Sequence, residues 1–348
     1  MNKPIAITVG DPAGIGPEIV VKTFLQRPDL TQGCFIVGDM RVVREAARVV
    51  AAKGVCPATA IIEVPTDALS APPNCLPVLQ TATFEGIPCK GQLSAEAGRF
   101  AGTCIIAASG LALAGEVAAI VTGPLQKEAL VLAGSPFSAF PGHTEMLQAE
   151  AARWRRVAPE MLPVRMMLAN QELRVVLVSI HVSMRKALAA VNFDNVLQTI
   201  RIASESLERM LRRKPHLAVA GLNPHAGEGG MFGTEEIDVI APAIKAAQGL
   251  GIRVSGPFAP DTVFMRARNQ VDRPGEFDAV VAMYHDQGLI PVKYLGLDHG
   301  VNLTLGLPYV RTSPDHGTAF DLAGTGRASP ASFIAALAMA RELASASE

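Results

Sequence analysis

Strand-length apolar runs alternate with longer stretches of helical period along most of this 348-residue chain. A chain patterned this way folds as βα units feeding a largely parallel sheet, because strands buried on both faces need helices to cover them. Strands are expected over residues 4–9, 34–37, 117–122, 164–169, 174–180, 217–222, 278–284 and 301–305. Helices are expected over 17–26, 195–212, 235–248 and 330–343, the first of them opening on Pro17 and Glu18, both favoured in a first turn. Residues 63–88 hold Pro65, Pro72, Pro73, Pro77 and Pro88 without a clear period and read as an irregular excursion. The pattern also breaks between Leu132 and Pro141, and the length suits two α/β domains.

Composition narrows the function. Hydrophobic residues at 49% and charged residues at 18% exclude a disordered or coiled-coil chain. With 31 basic against 32 acidic residues and 5% aromatics, the chain has neither the basic field nor the stacking surface of a nucleic-acid binder, so a small-molecule substrate is expected. No run approaches the roughly 18 apolar residues of a membrane span. The N-terminus lacks the charged and apolar regions of a leader, and a cytoplasmic location is expected. Five cysteines without a C-x-x-C pair read as free thiols.

Several stretches can carry chemistry. The turn Gly10-Asp-Pro-Ala-Gly-Ile-Gly-Pro-Glu18 joins a strand to a helix start, where backbone N–H groups can meet an anion. Its glycines do not have dinucleotide-fingerprint spacing, so a tight βα turn competes with ligand contact. His181, His225 and His285 each sit at or just past the carboxyl end of an expected strand, the edge where α/β sheets place ligands. Three imidazoles with an open position suit a catalytic metal, whereas singly each would be a hydrogen-bonded structural histidine. Glu228, Asp286 and Gln287 lie close by as supporting groups. The segment Asn223-Pro-His-Ala-Gly-Glu-Gly-Gly230 implies close backbone approach or a loop with several positive φ angles. His143 and Thr144 offer donors ahead of a helix, with capping by Thr144 as the plainer reading. Lys293, Asn302 and Arg311 suit a phosphate or carboxylate. His216 and His299 read as structural.

With Thr8-Val-Gly-Asp-Pro-Ala-Gly-Ile-Gly-Pro-Glu18, Thr122-Gly-Pro-Leu-Gln-Lys127, Gly142-His-Thr-Glu145, Gly221-Leu-Asn-Pro-His-Ala-Gly-Glu-Gly229, Tyr284-His-Asp-Gln-Gly288 and Arg311-Thr-Ser-Pro-Asp-His-Gly-Thr-Ala319 in view, the chain resembles the 4-hydroxythreonine-4-phosphate dehydrogenase family of pyridoxal phosphate biosynthesis. That family includes relatives acting on 4-phospho-D-threonate and 4-phospho-D-erythronate, and Phe140-Pro-Gly-His-Thr-Glu145 is closer to the phosphothreonate branch. The resemblance implies two α/β/α domains like those of isocitrate and isopropylmalate dehydrogenases, residues 1–132 plus 290–348 on the cofactor side and 133–289 carrying metal, substrate and dimer interface. The active site would lie in the interdomain cleft of a homodimer. It implies metal ligation by His181, His225 and His285, and substrate contacts from His143, Thr144, Lys293, Asn302 and Arg311. Nicotinamide cofactor, NAD with NADP as the alternative, would bind at His316, Gly317, Thr318 and Asp321.

The implied reaction oxidises a C3 hydroxyl with one divalent ion (zinc, magnesium, cobalt or manganese) and then decarboxylates the product. Lys127, Lys293 and Asp261 are candidates for the general base. A three-histidine metallohydrolase and a non-catalytic sensor of phosphorylated sugar acids are the competing classes.

Overall fold

The computed structural model describes residues 3–51, 54, 56–296 and 299–347, with side chains through 345. Met1 and Asn2, part of the terminus read above as no leader, lie outside the described residues. Among the described residues there are twelve strands: β1 (Ile5–Thr8), β2 (Cys34–Gly38), β3 (Ala58–Ile62), β4 (Cys75–Gln80), β5 (Ala119–Thr122), β6 (Arg165–Ala169), β7 (Arg174–Leu177), β8 (Leu217–Ala220), β9 (Val254–Phe258), β10 (Ala279–Ala282), β11 (Val301–Leu305) and β12 (Val310–Pro314). All eight expected strands exist, four of the twelve were not anticipated, and the fold is α/β.

The chain divides into two compact units. The first comprises residues up to Pro163 together with Leu307–Ser345, and the second is built on Val164–Gly306. Set beside the expected boundaries, residues 133–163 fall in the first unit, because helix His143–Arg155 packs on helix Ala95–Leu113. Residues 290–306 fall in the second, where β11 pairs with β6.

In the first unit the strand order is β3-β4-β2-β1-β5-β12 and every pair is parallel. Every residue of β1, β2 and β5 is buried, which is why these strands read as unbroken apolar runs. Helix Gly16–Gln26 lays Ile19, Val20, Val21 and Phe24 into the core. Each such side chain contributes roughly 1.5–3 kcal/mol by leaving water. The stretch 63–88 is not wholly irregular, since it contains β4. Pro77 sits within that strand opposite Ala60 of β3, and pairing with β2 begins only at Val78, so the missing N–H breaks no bond on that side.

In the second unit the order is β11-β6-β7-β10-β8-β9. β6 runs antiparallel to both its neighbours, β11 and β7, while β7, β10, β8 and β9 form a parallel set. Its core gathers Leu168, Val175, Leu177, Ala218, Val280, Ala282, Phe264 and Leu289. Among the described residues no helix is long and apolar enough to cross a membrane. All five cysteines are free: Cys34, Cys75 and Cys104 buried, Cys56 and Cys89 exposed.

Candidate functional site

Three adjacent parallel strands of the second unit, β7, β10 and β8, end on one sheet edge, and the chain leaves each of them toward one of the three histidines. His285 opens helix His285–Tyr294 directly after β10, and His181 follows β7 by a short turn. Their ring centroids are 5.5 Å apart. Asp286 Oδ1 lies 2.7 Å from His285 Nδ1, which leaves Nε2 as the ring's free coordinating atom. His225 stands on the loop after β8 with its ring near Phe232, at 6.2 Å between centroids. The structure thus pairs two of the imidazoles and places the third on the neighbouring loop. Among the described residues no three His, Cys, Asp or Glu side chains converge closely enough to hold a metal ion. Imidazoles are suitable donors for a divalent cation, but as placed here the three do not close a site around one.

The loop carrying His225 is strained. His225, Ala226, Gly227, Glu228 and Gly229 have φ of 52°, 54°, 79°, 44° and 68°, all in the left-handed region. Both readings of this segment therefore apply, a run of positive φ at a ligand-bearing edge. Three of the five are not glycine, and each such residue costs roughly 1–2 kcal/mol there. A carboxylate that the sequence reading passed over holds the loop. Glu236 is buried and accepts hydrogen bonds from Leu222 N at 2.7 Å, Asn223 N at 2.8 Å and Asn223 Nδ2 at 2.9 Å. Burial alone would raise its pKa, but the bonds from Asn223 and Leu222 outweigh it and hold the group below its ordinary value. Glu228, expected to support His225, is exposed instead. Gln287 is structural: its amide donates to Gly221 O at 2.7 Å and its oxygen accepts from Met283 N at 2.7 Å, tying the ends of β8 and β10 together.

The first unit has its own polar centre. Arg311 lies on β12, opposite Ile120 of β5, and its guanidinium is buried, donating from Nε and Nη2 to Thr122 Oγ1 at 3.2 and 2.7 Å. Burial lowers its pKa to about 10 against the favourable charges of Tyr309 and Glu145. His143 begins helix His143–Arg155; burial and the positive charge of Arg311 hold its pKa well below 6.5, while its hydrogen bond to the Gly123 backbone acts the other way. Among the described residues its Nε2 has no hydrogen-bond partner. A neutral ring bonded to Gly123 through Nδ1 presents Nε2 as an acceptor, so His143 differs here from the donor expected. Thr144 sits inside the first turn and Gly142 holds the cap position, so Thr144 does not cap this helix. A neutral imidazole beside a desolvated guanidinium can receive an anion together with one of its hydroxyl protons.

The other expected residues are dispersed. Lys293 lies in the last turn of helix His285–Tyr294, Asn302 is half-buried on β11, and Asp261 is exposed ahead of helix Val263–Ala267. Lys127 is exposed at the start of helix Lys127–Leu132. His316, Gly317, Thr318 and Asp321 fall in one loop of the first unit; Gly317 and Asp321 are exposed, Thr318 is buried, and His316 Nε2 has no hydrogen-bond partner. His216 is structural, its Nε2 2.9 Å from Ser255 Oγ and its ring against Phe277.

The second unit thus offers imidazoles at three adjacent strand ends, and the first a buried guanidinium beside a neutral imidazole, on an α/β fold. Residues 31–340 match the family model described as pyridoxal phosphate biosynthetic protein PdxA, and the chain belongs to that family. It is 48% identical over 344 residues to a protein from Beijerinckia indica named 4-hydroxythreonine-4-phosphate dehydrogenase, covering 99% of this chain and 96% of that one. It is 44% identical over 347 residues to the D-threonate 4-phosphate dehydrogenase of Pectobacterium atrosepticum, covering 99% and 100%. A crystal structure of a 4-hydroxythreonine-4-phosphate dehydrogenase from Klebsiella pneumoniae superposes with a TM-score of 0.85 at 41% identity, over 99% of this chain and 100% of that one.

Proposed function

We propose that this chain is a nicotinamide-dependent dehydrogenase that oxidises the C3 hydroxyl of a 4-phosphorylated four-carbon hydroxy acid, 4-hydroxythreonine 4-phosphate by preference. NAD would supply the hydride acceptor when bound, one proton would be released, and the resulting β-keto acid would lose CO₂. The single observation carrying the anionic substrate is Arg311, a guanidinium desolvated on β12 with neutral His143 beside it. An arriving phosphate restores to that cation what burial took away. A second reading, D-threonate or D-erythronate 4-phosphate as substrate, is favoured by the Pectobacterium relative. The relatives reported above are named dehydrogenases, which leaves the hydrolase reading without support.

His181, His225 and His285 would hold a divalent ion, and such an ion supplies Lewis acidity that makes the C3 hydroxyl easier to ionise. This chain's own groups do the rest. Arg311, His143 and Thr144, with Lys293 and Asn302, bind and orient substrate, and Asp286 fixes the His285 ring through Nδ1. His316, Gly317, Thr318 and Asp321 take the cofactor. Lys293 and Asp261 are the proton acceptors to test. Lys293 is two helical turns from His285, about 12 Å along the axis at 1.5 Å per residue. A cytoplasmic homodimer is part of the proposal, supported on the second unit by exposed Met184, Leu188, Met231, Ile237 and Tyr294.

The test is kcat/KM for 4-phosphohydroxy-L-threonine, 4-phospho-D-threonate and their unphosphorylated forms, with NAD or NADP and each divalent ion in turn. Preference for the first by tenfold or more supports the main reading, and the reverse supports the second. Equal turnover of phosphorylated and unphosphorylated acids would refute both.

A further inference from the structure

The turn after β1 has no place in the chemistry above, and the hydrogen bonds around it show what it does. Gly10 has φ of +75°, and a Cβ there would come within 2.1 Å of Pro124 O, so glycine is needed for packing against the end of β5. Asp11 N donates to Pro124 O at 2.9 Å, closing the same contact. The turn is therefore filled by protein backbone. Its outer side meets the loop that follows β12. Ile15 N donates to Thr318 O at 3.0 Å, and a Cβ on Gly14 would come within 2.9 Å of that same oxygen.

Helix Gly16–Gln26 continues the grip with two side chains one turn apart on one face. Glu18 is fully buried, and its two carboxylate oxygens accept from Gly324 N at 2.5 Å and Gly326 N at 2.9 Å. Lys22 Nζ donates to Gly326 O at 2.7 Å and Ala328 O at 2.6 Å. Gly324 and Gly326 have φ of +80° and +66° and lie in neither a helix nor a strand, so their N–H groups have no ladder partner. Side chains of the first helix satisfy them instead. The loop is thus pinned at 318, 324, 326 and 328, while Gly317 and Asp321 between or beside the pins stay exposed.

We propose that Glu18 and Lys22 are positioning residues that set affinity for the nicotinamide cofactor by holding the 316–328 loop in its binding shape. The inference rests on the reading of His316, Gly317, Thr318 and Asp321 as cofactor contacts. Neither Glu18 nor Lys22 touches the cofactor; each acts through the loop backbone. If Glu18→Gln, which presents an amide N–H to one of the two loop N–H donors, lowers the binding-competent fraction to about 0.1, the dissociation constant for NAD rises roughly tenfold. Lys22→Met, which loses the part-buried bonds to Gly326 O and Ala328 O but leaves both Glu18 bonds in place, should weaken it about threefold on the same arithmetic.

The experiment measures NAD binding by calorimetry on the full chain, kcat and both KM values, and amide exchange at Gly324 and Gly326 in the absence of cofactor. Expected are faster exchange at both amides, weaker NAD binding and higher KM for NAD, with kcat and substrate KM within about twofold of wild type. A purely structural role would lower kcat in proportion to the folded fraction and leave both KM values and the NAD affinity of the folded fraction unchanged, which overturns the proposal. His316→Ala and Asp321→Ala separate the two levels. If they weaken NAD binding and Glu18→Gln and Lys22→Met do not, the positioning role falls alone; if they bind NAD as wild type does, the cofactor-loop reading falls and takes this one with it. Should Glu18→Gln fail to fold, Lys22→Met decides by the same readouts.

Discussion

Replacing Glu236 by alanine removes the acceptor of three hydrogen bonds, from Leu222 N, Asn223 N and Asn223 Nδ2. Stranding a buried donor costs about 1–3 kcal/mol, and the half-buried setting of Leu222 and Asn223 argues for the low end, so about 3 kcal/mol for the three. Against this stands the strain released if the loop lets go. His225, Ala226 and Glu228 hold positive φ, and at roughly 1–2 kcal/mol each they store about 3–6 kcal/mol. The two quantities are comparable, which decides the outcome. The loop should relax instead of the unit unfolding, and global stability should fall by well under the roughly 3 kcal/mol that the hydrogen bonds alone would predict.

Urea denaturation gives the global term, and amide exchange over residues 222–230 gives the local one. Expected for Glu236→Ala is a small loss in the first and a large loss of protection in the second. Glu236→Gln keeps an acceptor for the two backbone donors and should lie between. Acid repeats the experiment without mutation. Because the folded carboxyl is held below its ordinary 4.5, its contribution is complete above that pH and disappears as pH falls through the depressed folded value. A global loss of 3 kcal/mol or more in Glu236→Ala, with protection over 222–230 unchanged, would refute the strain argument.

Ala226→Gly, which relieves one left-handed side chain at the cost of a freer unfolded chain, should stabilise by about 0.5–1 kcal/mol in the same denaturation assay. Arg311→Ala should cost about 2–5 kcal/mol in kcat/KM for the phosphorylated substrate and far less for its unphosphorylated form. His143 is held neutral, so folding loses stability as pH falls below its ordinary 6.5, and His143→Gln should flatten melting temperature between pH 7 and 5. Asp11 is buried and its pKa is raised to about 6 by burial, against the Ala13 backbone bond and Lys90, so its penalty is present above pH 6 and gone below 3.8. Asp11→Asn should therefore stabilise at pH 7 by about 1–3 kcal/mol and have little effect near pH 4.

Of the eight strands that could be read from sequence, β1, β2, β5, β8 and β10 are buried at every residue, and β6, β7 and β11 at all but one or two. The missed ones went unread for identifiable reasons. β4 carries Pro77 at a register where only one neighbour is paired, and β9 carries Gly256 and Pro257 beside a register shift against β8. β12 reads Val-Arg-Thr-Ser-Pro, and its Arg311, Thr312 and Ser313 are buried although polar. Hydrophobic period cannot detect such a strand, because its burial is bought by partners elsewhere in the chain, Thr122 for Arg311 and the Ala336 carbonyl for Thr312.

The site divides along the same line. Strand-end position alone brought His181, His225 and His285 to one edge, since a parallel sheet delivers every carboxyl end to the same side. Glu236 was not legible, because it acts on a loop 13 and 14 residues earlier and sits in an apolar helical pattern that gives no sign of a buried carboxylate. Glu18 was read as a helix-start acid, favoured by the dipole, whereas its partners Gly324 and Gly326 lie 306 and 308 residues away. In both cases a carboxylate binds backbone N–H groups of a glycine-bearing loop. Such a bond specifies no residue type at the far end, so no pairing of side chains in the sequence could have announced it. The donor is common to nearly every residue, and only the fold selects which one the carboxylate meets.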